Sequence, residues 1–207
     1  EKAEKERIAQ MVDAGKGRDG VFQVGDYYNV NCKEGVVFEV DTSGRHGKII
    51  NMAVPKISRQ WTSNDNENVR WIKASSKTDG LANMKAVQQQ PNWHKKYPAF
   101  AWCADLGEGW YLPAIEELKV FTLNKHVHDM VNQTIAKKGG VLLYNVDKSG
   151  WLWYWSSTEG TRRQSLYQDG RSPETGSCCV YIVNMFHGKT EDTPKNGYGG
   201  TRAIAKF

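Results

Sequence analysis

Four cysteines and five histidines are the residues of this chain best suited to nucleophilic or metal chemistry. Cys32, Cys103, Cys178 and Cys179 show neither C-x-x-C spacing nor the density of a disulfide scaffold, so they leave the redox compartment open. Adjacent residues on a strand point to opposite faces, so one of Cys178 and Cys179 is expected to be buried, and Cys103 reads as a buried structural thiol. His46, His94 and His187 stand alone. His126 and His128 are two apart, which on a helix separates them by about 200° and suits a surface pair rather than a metal pair. No H-E-x-x-H, D-x-D-x-D-G or nucleophile-elbow pattern occurs, and no Ser, His and acid set is suggested by local context. Gly15–Gly20 (GKGRDG) matches G-x-G-x-x-G, but a dinucleotide site needs a strand before it and a helix after it, the reverse of the order here; a linker is expected. Gly44–Lys48 (GRHGK) lacks the spacing of a phosphate loop and reads as a hairpin turn. The sequence therefore assigns no catalytic residue, no metal and no cofactor.

The aromatics are more informative. Trp151-Leu152-Trp153-Tyr154-Trp155 alternates so that the three tryptophans share one face of a strand, and Trp153 and Trp155 are expected in the core. In the following strand Tyr181, Val183 and Met185 alternate with Val180, Ile182, Asn184 and Phe186, placing large side chains on both faces. Such a strand is either central or part of a binding surface. The polar stretches beside it supply candidate contacts: Arg162, Arg163, Tyr167, Asp169 and Arg171 before it, and His187, Lys189, Glu191, Asp192 and Tyr198 after it. Tyr, Arg and Trp recur in recognition surfaces because they give large contact area at low entropic cost.

The elements that must position these residues follow from pattern. Glu1–Ala14 is rich in helix formers with Ile8, Met11 and Val12 on one stripe, and Gly15–Gly20 breaks it. Tyr27–Val30, Val36–Asp41 and Lys48–Met52 read as strands of an antiparallel meander, with turns at Cys32–Gly35 and Ser43–Gly47. The stretch from Trp61 to Ser76 is polar and irregular, and its two tryptophans are expected to plug it onto a core. Thr78 and Asp79 can cap a helix bearing Leu81, Met84 and Val87; Leu112-Pro113 opens a second one with Ile115, Leu118 and Phe121 on one side, continuing after a bend over Asp129–Lys137. Leu152–Ser156, Cys179–Met185 and Arg202–Phe207 read as late strands, with loops over Thr158–Gly176 and Lys189–Gly200. Strands, two main helices, then strands predict an α+β fold of small antiparallel sheets whose N- and C-terminal strands pair.

Composition bounds the partners. The 207 residues carry 28 Lys plus Arg against 23 Asp plus Glu, a formal charge of +5, and the first twenty hold five of each sign, so no basic stripe offers itself to nucleic acid. No apolar run approaches the roughly 18 residues of a membrane-spanning helix, so no membrane insertion is expected. The opening Glu1, with no charged-then-apolar leader after it, leads us to expect a mature or trimmed chain without its targeting segment.

Tyr97–Leu118 (YPAFAWCADLGEGWYLPAIEEL), Trp153–Glu159 (WYWSSTE), Val180–Thr190 (VYIVNMFHGKT) and Thr201–Phe207 (TRAIAKF) resemble the successive motifs of a bacterial C-type lectin-like domain. The similarity is to the C-terminal domain family of the collagen-like bacterial surface protein and to the variable proteins of diversity-generating retroelements. It spans about Tyr27 to Phe207, is loose from Gly160 to Ser177, and implies a domain over 21–207 preceded by a helical linker or tail of an earlier segment over 1–20. Ala114 stands where many relatives have Thr, forgoing an N-cap hydroxyl, although Glu117 remains one turn on. The E-P-N or Q-P-D and W-N-D triplets of calcium-dependent sugar binders are missing: Pro91-Asn92-Trp93 lacks the acid, and Trp155-Ser156-Ser157 replaces the other. Formylglycine-generating enzymes share the architecture, but Cys178-Cys179 does not reproduce their cysteine spacing.

What the resemblance implies is a calcium-independent, non-enzymatic recognition domain, an adhesin or receptor-binding module, that displays a diversified surface in its C-terminal third. Tyr181, Ile182, Asn184, Phe186, His187, Lys189, Glu191, Asp192 and Tyr198 match exposed or variable places; Trp153, Ser156, Val183, Gly188, Arg202 and Ala203 match framework places. The implied partner is a protein or glycan on another cell or particle, and the implied location is secreted, cell-surface or phage-borne. The alternatives are a formylglycine-generating-like cysteine oxidative enzyme and a structural pilus or fibre-tip subunit.

Overall fold

The computed structural model describes residues 1–63, 71–143, 152–160 and 179–207. It is a mixed α+β chain with six helices and small antiparallel sheets among those residues, where the sequence led us to expect two main helices. Contacts divide it into two compact units, Glu1–Val54 with Val120–Gly150 and Ile204–Phe207, and Pro55–Lys119 with Trp151–Ala203.

The first unit is built on four antiparallel strands, β1 (Tyr27–Val30), β2 (Lys33–Val40), β3 (Gly47–Ile50) and β10 (Ile204–Lys206), adjacent in that order. The β1–β2 turn is shorter than expected: Val30 faces Lys33, and Asn31 and Cys32 turn the chain with φ of 52° and 59°, the left-handed pair a two-residue hairpin requires. β2 buries Val36, Val37 and Phe38 in succession, covered on one face by helix α6 (Lys125–Lys137). That helix starts at Lys125, earlier than the expected Asp129, because Asn124 caps it, its Oδ1 accepting from the Val127 amide at 3.3 Å. Val127, Val131 and Ile135, four apart, form its buried stripe. The closing strand does return to the opening meander, but there it pairs with β3, Ile204 opposite Ile50, and not with β1, which among the described residues pairs with β2. Helix α1 (Lys2–Asp13) forms as expected and buries none of its residues.

The second unit holds helices α2 (Gly80–Gln88), α3 (Trp93–Lys96) and α4 (Pro98–Asp105), the short strands β4 (Arg59–Gln60) and β5 (Trp110–Tyr111), and the sheet β6 (Trp153–Glu159), β7 (Cys179–Asn184), β8 (Lys189–Pro194). Helix α5 (Ile115–Thr122) carries the chain from the second unit into the first. Asp79 caps α2 as expected, accepting from the Leu81 and Ala82 amides. α4 begins with Pro98 at its first turn, where the missing N–H costs nothing. At the α5 entry Ala114 supplies no hydroxyl; Glu117 reaches back and accepts from the Ala114 amide at 2.9 Å, and also from Gly80 N–H and the Tyr111 hydroxyl.

The expected loop over Lys189–Gly200 is a correction. Lys189–Pro194 is a full strand registered along β7 from Asn184↔Lys189 to Cys179↔Pro194, and β9 (Tyr198–Gly199) pairs with β4. Likewise Thr158 and Glu159 belong to β6 and not to a loop. Of the two tryptophans expected to plug the 61–76 stretch, Trp61 is buried against Tyr97 and Phe100, whereas Trp71 is exposed.

Candidate functional site

β7 is the central strand of its sheet, which accounts for its large side chains on both faces. Between β6 and β7 the register slips after Trp155; there Ser156 Oγ donates to the Tyr181 carbonyl at 2.7 Å and accepts from the Thr158 amide, so a hydroxyl fills the broken ladder. Ser157 Oγ accepts from Asn83 Nδ2, and Thr158 Oγ1 donates to Ser76 O while accepting from the Ile115 amide. The W-Y-W-S-S-T-E segment is thus a polar seam binding β6 to the α2 and α5 entries.

At its far end β6 is capped by charge. Glu159 accepts from the Ile72 amide on both oxygens, at 3.1 Å on Oε1 and 3.2 Å on Oε2, and from the Ala74 amide on Oε2 at 3.0 Å, and it pairs with Lys195 through Oε1. The Lys195 ammonium also sits 4.9 Å above the Trp61 ring. Both members of the pair are fully buried. Tyr97 lies in the same interior, where burial, aided by the Glu159 charge, pushes its hydroxyl up to about 12. Arg202 is buried too; desolvation pulls its guanidinium below the usual arginine range, and the Tyr154 hydroxyl opposes that shift.

Of the sequence-predicted contact residues, Phe186, His187, Lys189 and Tyr198 are exposed, and Tyr181, Glu191 and Asp192 are half-buried. Ile182 and Asn184, expected to be displayed, are buried instead. Ile182 faces the packed side of a central strand. Asn184 Oδ1 accepts from the Phe186 and His187 amides and its Nδ2 donates to Glu191, so the side chain builds the 185–188 turn. Lys77 Nζ stands 5.5 Å from the Tyr181 ring centroid. Arg162, Arg163, Tyr167, Asp169 and Arg171 lie outside the described residues, as does Cys178; Cys179 is buried.

Sequence reasoning missed the residues that complete this surface. Trp153, expected in the core, is 38% exposed, and Leu152 is 44% exposed, whereas Trp155 is fully buried. The 198–200 segment runs along β6 and packs on both tryptophans: Gly200 N donates to Trp153 O, Trp155 N donates to Gly200 O, and the Trp153 indole donates to Tyr198 O at 3.0 Å. Gly199 presses on the tryptophans so closely that a Cβ there would lie 2.9 Å from the Trp155 ring and 3.1 Å from Trp153 Cδ1. The Tyr-Gly-Gly run in the sequence was the signal for this close approach. Leu152, Trp153, Phe186 and Tyr198, all exposed, lie on backbone that meets at the end of the sheet where β7 turns into β8: Trp153 stands opposite Asn184, Met185 N donates to Leu152 O, and the Trp153 indole donates to Tyr198 O, which makes this end an exposed shelf of large apolar residues.

The remaining features offer little chemistry. Burial pushes the Cys103 thiol well up, which makes it a poor nucleophile. Among the described residues no three His, Cys, Asp or Glu side chains are grouped to hold a metal. A cleft of about 450 Å³ in the first unit lies between α1, the end of α6 and Tyr27, but its cations are already matched, Arg18 to Asp26 and Lys137 and Lys138 to Asp13. No described helix is long and apolar enough to cross a membrane. No protein-family model matches the chain, and no curated protein matches it at a significant level.

Proposed function

We propose that this chain is a non-enzymatic recognition domain of C-type lectin-like fold, binding a protein or glycan on another cell or particle through the end of the β6–β7–β8 sheet. The observation that carries the reading is the exposure of Leu152, Trp153, Phe186 and Tyr198 at one end of a strand framework that is tied internally by side-chain hydrogen bonds such as those of Ser156 and the Trp153 indole. Large apolar side chains grouped at the surface lose free energy by meeting water, and a rigid frame lets a partner bury them without an ordering cost. His187, Lys189 and the half-buried Tyr181, Glu191 and Asp192 supply a polar rim. The surface requires no calcium in this reading, and it can change in composition without disturbing the core, as diversified display requires. A secreted, cell-surface or phage-borne setting suits that role.

The test is a combined glycan and protein array probed with the purified chain. A reproducible hit is expected, and Phe186→Ala with Tyr198→Ala should weaken it at least about tenfold, the loss of one or two hot-spot aromatics, while the thermal midpoint stays put. Undiminished binding by the double variant would move the site off this shelf.

A further inference from the structure

From Lys189 to Gly200 the chain makes its excursion through β8, the turn and β9, and along that whole stretch Lys195 is the one non-glycine residue whose side chain is buried. Its neighbours Pro194, Asn196 and Tyr198 are exposed. The anchor is therefore a charge where an apolar side chain would be the usual choice. An apolar anchor can settle in many orientations, whereas an ammonium buried on a carboxylate and an indole face has one. The partners are themselves fixed: Glu159 by the Ile72 and Ala74 amides, and Trp61 by its indole donating to Ser156 O at 2.9 Å. Backbone contacts radiate from the same point, Thr62 N to Lys195 O and Gln60 Nε2 to Asn196 O, and three residues on the chain reaches Tyr198, whose carbonyl holds the Trp153 indole.

We propose that Lys195 is the positioning residue of the recognition surface: clamped on Glu159 and Trp61, it sets the path of residues 194–200 and so holds Tyr198 and Trp153 in place. This rests on the recognition reading only for its purpose; the clamp itself is tested without a ligand. The informative variant is Lys195→Met combined with Glu159→Gln. It keeps the side-chain volumes, and with the glutamine carbonyl at the Oε2 place the Ala74 bond and the 3.2 Å arm of the shared Ile72 bond remain, while the 3.1 Å arm to Oε1 is lost. Replacing a buried pair by uncharged groups of similar size commonly preserves global stability.

The measurement is native-state amide hydrogen exchange followed at Gly197 and Gly200, with urea unfolding alongside. In the parent protein Gly200 should exchange as slowly as the β6 amides; in the double variant the urea midpoint should hold while both glycine amides exchange at least about tenfold faster, as local opening separates from global unfolding. Lys195→Arg, which retains the charge, should stay slow. Unchanged exchange in the folded double variant overturns the proposal. So does a Gly200 amide in the parent that exchanges far faster than β6, a result that stands even if the double variant does not fold. The same glycan and protein array then separates the two readings: faster exchange with the array hit retained keeps the clamp and removes the shelf as the binding site, and faster exchange with the hit weakened supports both.

Discussion

The two compact units bury different kinds of side chain. Around β1, β2, β3, β10 and α6 the interior is almost wholly apolar, and Thr122 is its one buried polar residue among those described. The second unit buries Thr62, Asn83, Glu117, Ser156, Ser157, Thr158, Glu159, Asn184, Lys195, Thr201 and Arg202. The first is held by burial that depends on area and hardly on direction; the second adds hydrogen bonds and an ion pair that must meet at set angles. The difference teaches where geometry matters. In the recognition reading proposed above, the unit that would present the surface is the one whose contacts specify a single arrangement.

That contrast can be broken most directly at the ion pair. Lys195→Met alone leaves Glu159 charged in the interior and should cost about 3–5 kcal/mol, whereas Ile49→Val in the first unit should cost about 1 kcal/mol. Urea unfolding of the two variants decides; a Lys195→Met loss no larger than that of Ile49→Val would erase the distinction. A smaller effect sharpens it: Asp79→Ala removes the α2 cap beside the Asn83 network and should cost about 1 kcal/mol, read from the same denaturation curves.

The gentlest probe is alkali. Tyr97 in the second unit and Tyr27 in the first are both pushed up to about 12, the former chiefly by burial, the latter by burial and then by its bond to Glu34. A hydroxyl whose folded pKa is raised contributes stability that is whole below its unfolded value near 10 and is lost as pH climbs towards 12. The thermal midpoint should accordingly begin to fall from about pH 9, where the buried Cys103 thiol also contributes, and fall further beyond about pH 10 as the tyrosines do. Tyr97→Phe and Tyr27→Phe should each blunt the fall. If neither does, the alkaline loss originates elsewhere.

Much of the first unit was legible because its strands and helices follow simple periods. Tyr27–Val30 was read at its true bounds, and the α1 helix within one residue. In the second unit β7 was read correctly because its apolar run is unmistakable, but β8 was not, since Lys-Thr-Glu-Asp-Thr-Pro carries no apolar alternation and earns its place only by pairing with β7. Helix α4 escaped the periodicity reading because Phe100, Ala101 and Cys103 bury more than one side of it. The candidate surface divided in the same way. Phe186 and Tyr198 were expected at the surface and are exposed; Trp153 was assigned to the core because strand alternation says nothing about what lies across each face, and Ile182 and Asn184 were assigned to the surface by the resemblance and are buried.

The sequence alone indicated the mixed α+β class, the early meander and a cap for α2 at Thr78 or Asp79, and left β7 as either central or part of a binding surface. Only the tertiary structure decided that Lys195 and Glu159, 36 residues apart, meet in the interior, that residues 198–200 run along β6 against Trp153, and that the last strand pairs with β3. The reason is one of range. Propensity, capping and periodicity act between residues a few positions apart, whereas burial of a charge or exposure of a tryptophan depends on which distant segment arrives beside it.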